Sequence, residues 1–472
     1  MEAITEQAEP GSSDGEKPSA GGPAPKPKRQ SVLRHRHFRN VWFGAFGSSV
    51  GAWMEFVGVS WSINVLAGKE DAGFWLSMHA VAQLAPMMLF GVAGGVVADR
   101  VNRKKLLIVS QGAMMVIALA LTVLAAMNLL SINLILFLSV LMGITMAFNV
   151  PAWQVLTPRL VPREELTDAI VLNGLQFNIA RVIGPALGGA MLATTSPAWL
   201  FAINTLSFLG VMFAVSTTPD SPAPARNMHD SVWKETRDGL RFTLAGTGPR
   251  AAFFAMTVFG FLASPLQRML PLYISVVYFT RDWSEKQKEY GYGALLAFMG
   301  VGAVIGAFLM RAIPKWYPKH HLIPLAILAT GIAIAGFGSG ANPWIGIPCL
   351  VVVGAGWLIS FNSTFAAMQM LVPDAMRGRA MAVCNTAVYG VMAFSPLLVD
   401  WIQGSIAEVA GDIVGIRIGL ALTGVIMACA GIVMLIWRTP EVDGLTEGEP
   451  GFVRHPGIWR GITGEIHRPR RD

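Results

Sequence analysis

Gly91-Val92-Ala93-Gly94-Gly95-Val96-Val97-Ala98-Asp99-Arg100-Val101-Asn102-Arg103-Lys104-Lys105 closes one long apolar segment and opens the next. Gly91, Gly95 and Asp99 are spaced four apart, so on a helix they share one face. A carboxylate and the cations Arg100, Arg103, Lys104 and Lys105 then crowd a very short turn. A connection that only reversed the chain would not need this arrangement. The turn predicts two membrane helices joined by a device with a further task.

The composition around it agrees. The chain has 472 residues, 53% hydrophobic and only 14% charged, against roughly 25% charged in soluble domains. Its mean hydropathy is +0.51. This is an all-α integral membrane protein. The net charge of +7 does not indicate nucleic acid, because most Lys and Arg fall in short turns between apolar runs or in the tails, as membrane topology requires. Cys349, Cys384 and Cys429 sit in different apolar runs without metal-site spacing, and read as small buried hydrophobes. No metal or cofactor is expected.

Spans need about 20 mostly apolar residues. Twelve can be drawn: 41–66, 74–98, 105–127, 132–156, 169–194, 198–216, 251–278, 291–312, 322–340, 344–370, 379–403 and 412–437. β-Barrel strands would alternate over about ten residues, and these runs do not. The even-numbered turns carry the cations, among them Arg159, Arg163, Arg226, Lys234, Arg311, Lys315, Arg377 and Arg379. The odd-numbered turns are nearly free of net positive charge, so both termini are expected in the cytoplasm. The expected organisation is a disordered basic tail over 1–40, a six-helix bundle over 41–216, a linker over 217–250, a second bundle over 251–437 and a cytoplasmic tail over 438–472. Within the linker, Val232, Trp233, Leu240 and Leu244 separate from Lys234, Arg237 and Arg241. That pattern predicts an amphipathic helix on the inner leaflet.

The halves repeat. Gly143 to Asn149 in span 4 echoes Gly356 to Asn362 in span 10, and Leu160-Val161-Pro162 echoes Leu371-Val372-Pro373. Asn173 and Pro185 in span 5 answer Asn385 and Pro396 in span 11. A six-plus-six parallel repeat with a pathway between the halves is a transporter architecture.

Gly95-x-x-x-Asp99-Arg100-x-Asn102-Arg103-Lys104 resembles the signature between spans 2 and 3 of the major facilitator superfamily. Gly184-Pro185-Ala186-Leu187-Gly188-Gly189 resembles that superfamily's antiporter motif. With Leu160 to Leu166, Asn173 and Ala180 to Pro185, the first half is similar to the branch of siderophore (enterobactin) and macrolide exporters that work as proton antiporters. The resemblance implies twelve helices in two pseudo-symmetric halves. It also implies a latch: Asp99 against the start of span 11, near Gly378 and Arg379, where a helix N-terminus attracts a carboxylate. Gly91 and Gly95 would allow the close approach. Asn102 replaces a glycine of the signature and so needs a turn that Asn tolerates. In the second half the turn reads Gly306-x-x-x-Met310-Arg311, so only the first half keeps the acid. In span 5, Gly184 and Gly188 favour close packing while Pro185 bends the helix; the motif reads as a seal against ion leak or as packing alone.

Ionisable residues inside spans are costly and mark function. Glu55 in span 1 and Arg181 in span 5 would be close in a major facilitator fold, where a pair could carry the coupled proton; a fixed structural pair, or Glu55 bonded to nearby serines, is the alternative. Asp400 and Arg268 read as outer gate or substrate contacts, or as snorkelling interface residues. Gln267 and Arg268 point to different helix faces, so only one of the two is expected to face the cavity. His79 reads as an interface residue rather than a proton relay. The family's usual lining spans, 1, 4, 7 and 10, point to Asn149, Trp153, Gln154, Phe361 and Asn362 as substrate-cavity residues, with Asn178 added from span 5. The 24 Met and 25 Phe suit a pocket for varied apolar shapes.

No Walker loop is present, and the two Gly-x-Ser-x-Gly matches, at 11–15 and 47–51, lack a nucleophile-elbow context. An enzyme is not expected. The sequence reads as a monomeric, proton-coupled exporter of an amphipathic small molecule, drug-like or siderophore, in a bacterial inner membrane. Metabolite uptake or uniport, and lysophospholipid transport, remain as alternatives.

Overall fold

The computed structural model describes residues 31–156, 159–219, 232–278, 283–314, 317–340 and 342–444. Of the tails expected over 1–40 and 438–472, residues 1–30 and 445–472 lie outside them, while 31–40 is not the disordered stretch expected: it forms a 3-10 turn, Val32–Arg34, and the start of the first helix, with Phe38 buried. The helices are α1 (Arg36–Arg100), α2 (Arg103–Ala126), α3 (Ile132–Leu156), α4 (Leu166–Thr194), α5 (Pro197–Ser216), α6 (Val232–Ala245), α7 (Thr247–Tyr273), α8 (Glu285–Ala312), α9 (Lys319–Ser339), α10 (Pro343–Leu371), α11 (Asp374–Ala410) and α12 (Asp412–Ile436). Among the described residues, eleven helices are long and apolar enough to cross a membrane.

The first of these supplies two crossings. Gly68 has φ 73° and ψ 178°, a backbone region that side chains avoid. Val41 and Ala98 pack in one cluster with Leu107, whereas a straight helix would separate them by about 85 Å. α1 is therefore two antiparallel arms meeting at Gly68, and the membrane is crossed about twelve times. The turn after the second arm is not left-handed: Asn102 is extended at φ −62°, and its side chain accepts from the Lys105 N–H as the N-cap of α2. Asn suits that site because its oxygen satisfies an orphan donor.

The two halves repeat in space, and at different residues from those expected. The second arm of α1 crosses α3 where Gly94 meets the Ala147 carbonyl. α8 crosses α10 in the same way, where a Cβ on Gly306 would lie 2.8 Å from the Ala355 carbonyl oxygen. Gly143 and Gly356, paired in the sequence, are not equivalent: Gly143 packs on Gln83 of α1, and Gly356 on Thr330 of α9.

α6 is amphipathic as expected, with Leu240 and Leu244 exposed, but it also docks on protein. A Cβ on Gly239 would sit 2.8 Å from the Arg379 carbonyl oxygen of α11. After α12 the chain forms a single 3-10 turn, Pro440–Asp443. There the Asp443 carboxylate accepts from the backbone N–H of Lys319 at 2.7 Å and of His320 at 3.3 Å, and from the His320 ring. It caps α9, whose own N-cap, Pro318, makes no side-chain cap bond. Burial pushes the Asp443 carboxyl up, but the bonds from His320 and the two backbone N–H groups outweigh it and hold the group below its ordinary value of 3.8. A depressed carboxylate stabilises the fold above its unfolded pKa, and that contribution is lost as pH falls through the folded pKa. Asp443→Ala should therefore cost about 1 kcal/mol near neutral pH. Thermal unfolding in detergent should show the gap to the native chain closing as pH falls below the ordinary value of 3.8; a gap unchanged by acid would rule out the cap.

Candidate transport cavity

A cavity of ≈ 730 Å³ runs into the molecule from its cation-rich end. Its mouth is lined by Phe38, Val41 and Trp42 of the first arm, Trp153 and Gln154 of α3, and Leu160. Its wall carries Ser48, Ser49, Trp53 and Phe56 from the first arm, Gln111 from α2, Asn149 from α3, and Asn173, Gln176 and Phe177 from α4. Its floor is Gln83 of the second arm with Gln267 and Arg268 of α7. The lining is thus aromatic rings with scattered amides, and no Asp or Glu lines it among the described residues. The size falls within the ~300–1,000 Å³ of drug-sized ligand sites.

The opposite end is sealed between the halves. Trp61, 2% exposed, stacks on Tyr292 of α8 with centroids 5.9 Å apart, and its indole N–H donates to Glu289 Oε1 at 3.1 Å. α4 and α8 touch backbone to backbone: a Cβ on Gly189 would lie 2.6 Å from Gly293 Cα, and one on Gly300 2.6 Å from the Arg181 carbonyl oxygen. On the other flank, α1 meets α11 where Gly73 abuts the Asp400 carboxylate and a Cβ on Gly390 would lie 2.6 Å from Met88 Sδ. Arg268 adds a bond across the floor, Nη2 donating to Gln83 Oε1 at 2.8 Å.

Of the substrate-cavity residues expected from sequence, Asn149, Trp153, Gln154 and Arg268 line the cavity and the others do not. Asn178 bonds back to the Gly174 carbonyl of its own helix. Phe361 stacks with Trp357 and Phe365 along α10 and packs on Phe259 of α7. Asn362 is exposed. Asp400 belongs to the seam at Gly73. Gln267 lines the floor beside Arg268, contrary to expectation. The sequence reading missed Gln83, Gln111 and Gln176; an amide in an otherwise apolar run was the available signal. Gln176 ties α4 to the first arm, its Nε2 donating to Ser49 Oγ at 2.9 Å.

Glu55 and Arg181 do not pair. Trp53 and Glu55 are two residues apart, about 200° around the helix, so they face opposite sides. Glu55 turns towards α5, where Asn204 Nδ2 donates to its Oε2 at 2.5 Å. Arg181 is 5% exposed and lies between two rings, its guanidinium carbon 5.5 Å from the Trp53 centroid and 5.2 Å from that of Trp357. That bracket joins the two halves. In the antiporter motif, Gly184 packs on Trp53 and Gly188 on Val57, which press α4 against the first arm, while the Pro185 carbonyl and Gly189 face Gly293.

Around the opening turn, Gly94 rather than Gly91 or Gly95 makes the close approach within its half. A Cβ on Gly91 or on Gly95 would meet open space. Both lie on the face of the second arm that contains Leu84 and Met88. That face packs on α11 at Leu84, Met88, Tyr389 and Ala393 and is open from Gly91 onward. The Asp99 side chain lies outside the described residues. Arg100 is exposed, Arg103 Nε donates to the Ala98 carbonyl, and Lys104 Nζ donates to the Thr218 carbonyl at 2.6 Å.

Two six-helix halves enclosing a cavity sealed at one end define a transporter of the major facilitator superfamily. Within it, the chain belongs to the transmembrane secretion effector family, whose pattern matches residues 29–451. It is 28% identical over 353 residues to the enterobactin exporter EntS of Shigella boydii serotype 4, covering 74% of this chain and 81% of the relative. The EntS of Escherichia coli O127:H6 is 27% identical over the same length. Among solved structures, a D-xylose–proton symporter superposes with TM-score 0.70 at 12% identity, over 87% of this chain and 100% of that one. The nucleoside transporter NupG does so with TM-score 0.64 at 13% identity, over 84% and 99%. At those identities the two structures speak for the fold alone.

Proposed function

We propose that the chain exports an amphipathic small molecule from a bacterial cytoplasm, by proton antiport and alternating access, across the inner membrane. The observation that carries this is the cavity open at the cation-rich end and sealed at the other. Cations mark the cytoplasmic side, so the state seen faces inward, ready to load cargo, with both termini inside. Bundles over 41–216 and 251–437, joined by 217–250, would rock about the floor. The likeness to enterobactin exporters favours export over uptake and a siderophore-like cargo.

The latch belongs to the opposite state. Met88 stands level with Gly390 on antiparallel helices. Eleven residues further along each, Asp99 comes level with Arg379. When the inner end closes, Gly91 and Gly95 would meet α11 and the Asp99 carboxylate would reach the positive end of that helix. Arg379 now faces Asp238 at 3.9 Å, a half-exposed pair at the edge of ion-pair distance and worth little.

Glu55 is the proposed proton carrier, acting through Asn204 rather than Arg181. Protonation removes its charge and alters the bond that ties α5 to the first arm. In everted vesicles, Glu55→Gln should abolish accumulation driven by a proton gradient while downhill cargo exchange persists. Gradient-driven accumulation surviving in Glu55→Gln would remove Glu55 from the mechanism, and accumulation in right-side-out vesicles instead would reverse the direction.

A further inference from the structure

The cavity floor carries positive charge with no acid paired to it among the described residues. Arg268 spends Nη2 on the Gln83 amide, while its Nη1 is buried with no hydrogen-bond partner among the described residues. Its guanidinium carbon lies 5.2 Å from the centroid of Phe56. Behind Trp53, Arg181 leaves Nε and Nη2 buried and without hydrogen-bond partners among the described residues. Phe56 and Trp53 are themselves in edge contact, centroids 5.7 Å apart, so one aromatic pair is flanked by two cations. The nearby acids do not face Arg268: Glu55 accepts from Asn204, Glu289 from Trp61, and Asp400 lies in the seam against Gly73.

An unpaired cation away from water is expensive, and stacking on a ring offsets only about 0.5–2 kcal/mol. A guanidinium with a spare N–H favours a carboxylate or another oxyanion, bound by charge-assisted hydrogen bonds. Rings beside it favour a flat aromatic partner. A cationic amphiphile would instead meet two like charges and no acid.

We propose that this cavity selects an anionic, planar aromatic cargo, whose oxyanion sits on Arg268 and whose ring lies against Phe56 and Trp53. This rests on the export reading and narrows it, setting anionic aromatic compounds apart from cationic drugs. Arg181 contributes charge from behind Trp53 and need not touch the cargo.

The probes are 2-naphthoate, its neutral amide 2-naphthamide and the cation 2-naphthylmethylammonium, titrated by calorimetry into the full chain in lipid nanodiscs. The native chain should bind the carboxylate at least about tenfold more tightly than the amide, and the amine most weakly. Arg268→Gln should bring carboxylate and amide within about threefold of each other, the carboxylate losing the more. Arg268→Lys, which keeps the charge, should retain part of the preference and so separates recognition from misfolding. Equal affinity for acid and amide, tighter binding of the amine, no saturable binding by all three, or a preference that survives Arg268→Gln overturns the proposal. Each of these leaves export intact, since that reading is judged by gradient-driven accumulation in vesicles.

Discussion

Asp99→Asn should cut transport about tenfold or more while cargo binding from the inner side stays close to native. The substitution keeps size and one acceptor oxygen, turns the other oxygen into an NH2 donor and removes the charge. A carboxylate at a helix N-terminus is worth about 0.3–1 kcal/mol, or up to about 2 when partly buried, and the level of Arg379 on α11 adds an ion pair. Losing about 1.4 kcal/mol shifts the balance between the two states about tenfold. The loss falls on the state in which the inner end is closed, because the structure already packs that helix face at Leu84 and Met88 and leaves Gly91 and Gly95 uncovered. Binding from the inside uses the state seen here and should survive. Transport rates in proteoliposomes, alongside inner-side cargo titration, check both halves of this expectation. Native transport by the variant would reduce the charged turn to a topology signal.

Gly189→Leu should have an effect of similar size in the opposite direction. Gly189 faces Gly293 with no room for a Cβ, and both sit in the seal at the outer end. A leucine there must drive α4 and α8 apart, and overpacking of this kind costs about 1–3 kcal/mol. The strain falls on the inward-facing state, so the population should move about tenfold towards the outward-facing one. Transport should fall because the cavity no longer returns to load. A cysteine placed at Trp61, 2% exposed in the native chain, should become reactive to an impermeant thiol reagent from outside in the leucine background. If that cysteine stays protected while transport falls, the leucine has damaged packing without shifting the states.

The spans were legible because apolar runs of membrane length and cations at alternate turns are one-dimensional signals. The repeat was legible in outline, and Gly306 was placed in the right turn. The rotational phase of each helix was not legible. Helices apolar all round carry no stripe to mark their inward face, so Gly94 could not be told from Gly91 or Gly95, nor Gln267 excluded beside Arg268. Glu55 and Arg181 were linked because their spans are neighbours; two residues of helix turn then put Glu55 on α5 and left Arg181 between Trp53 and Trp357. Asn149 and Asn362, matched in the sequence, lie in different surroundings. Asn149 is held by Ser110, to which its Nδ2 donates at 2.7 Å, while Asn362 is exposed. Sequence symmetry does not require the two halves to share the cavity equally.

Reciprocal opening of the two ends is the central claim. Spin labels at Arg100 and Met370 would report the inner end, and labels at Thr195 and Tyr290 the outer end; all four positions are exposed. Pulsed-EPR distances across a proton gradient with cargo present should show the inner pair shortening as the outer pair lengthens. Two distances that stay fixed, or that change in the same direction, would contradict transport by alternating access in this chain.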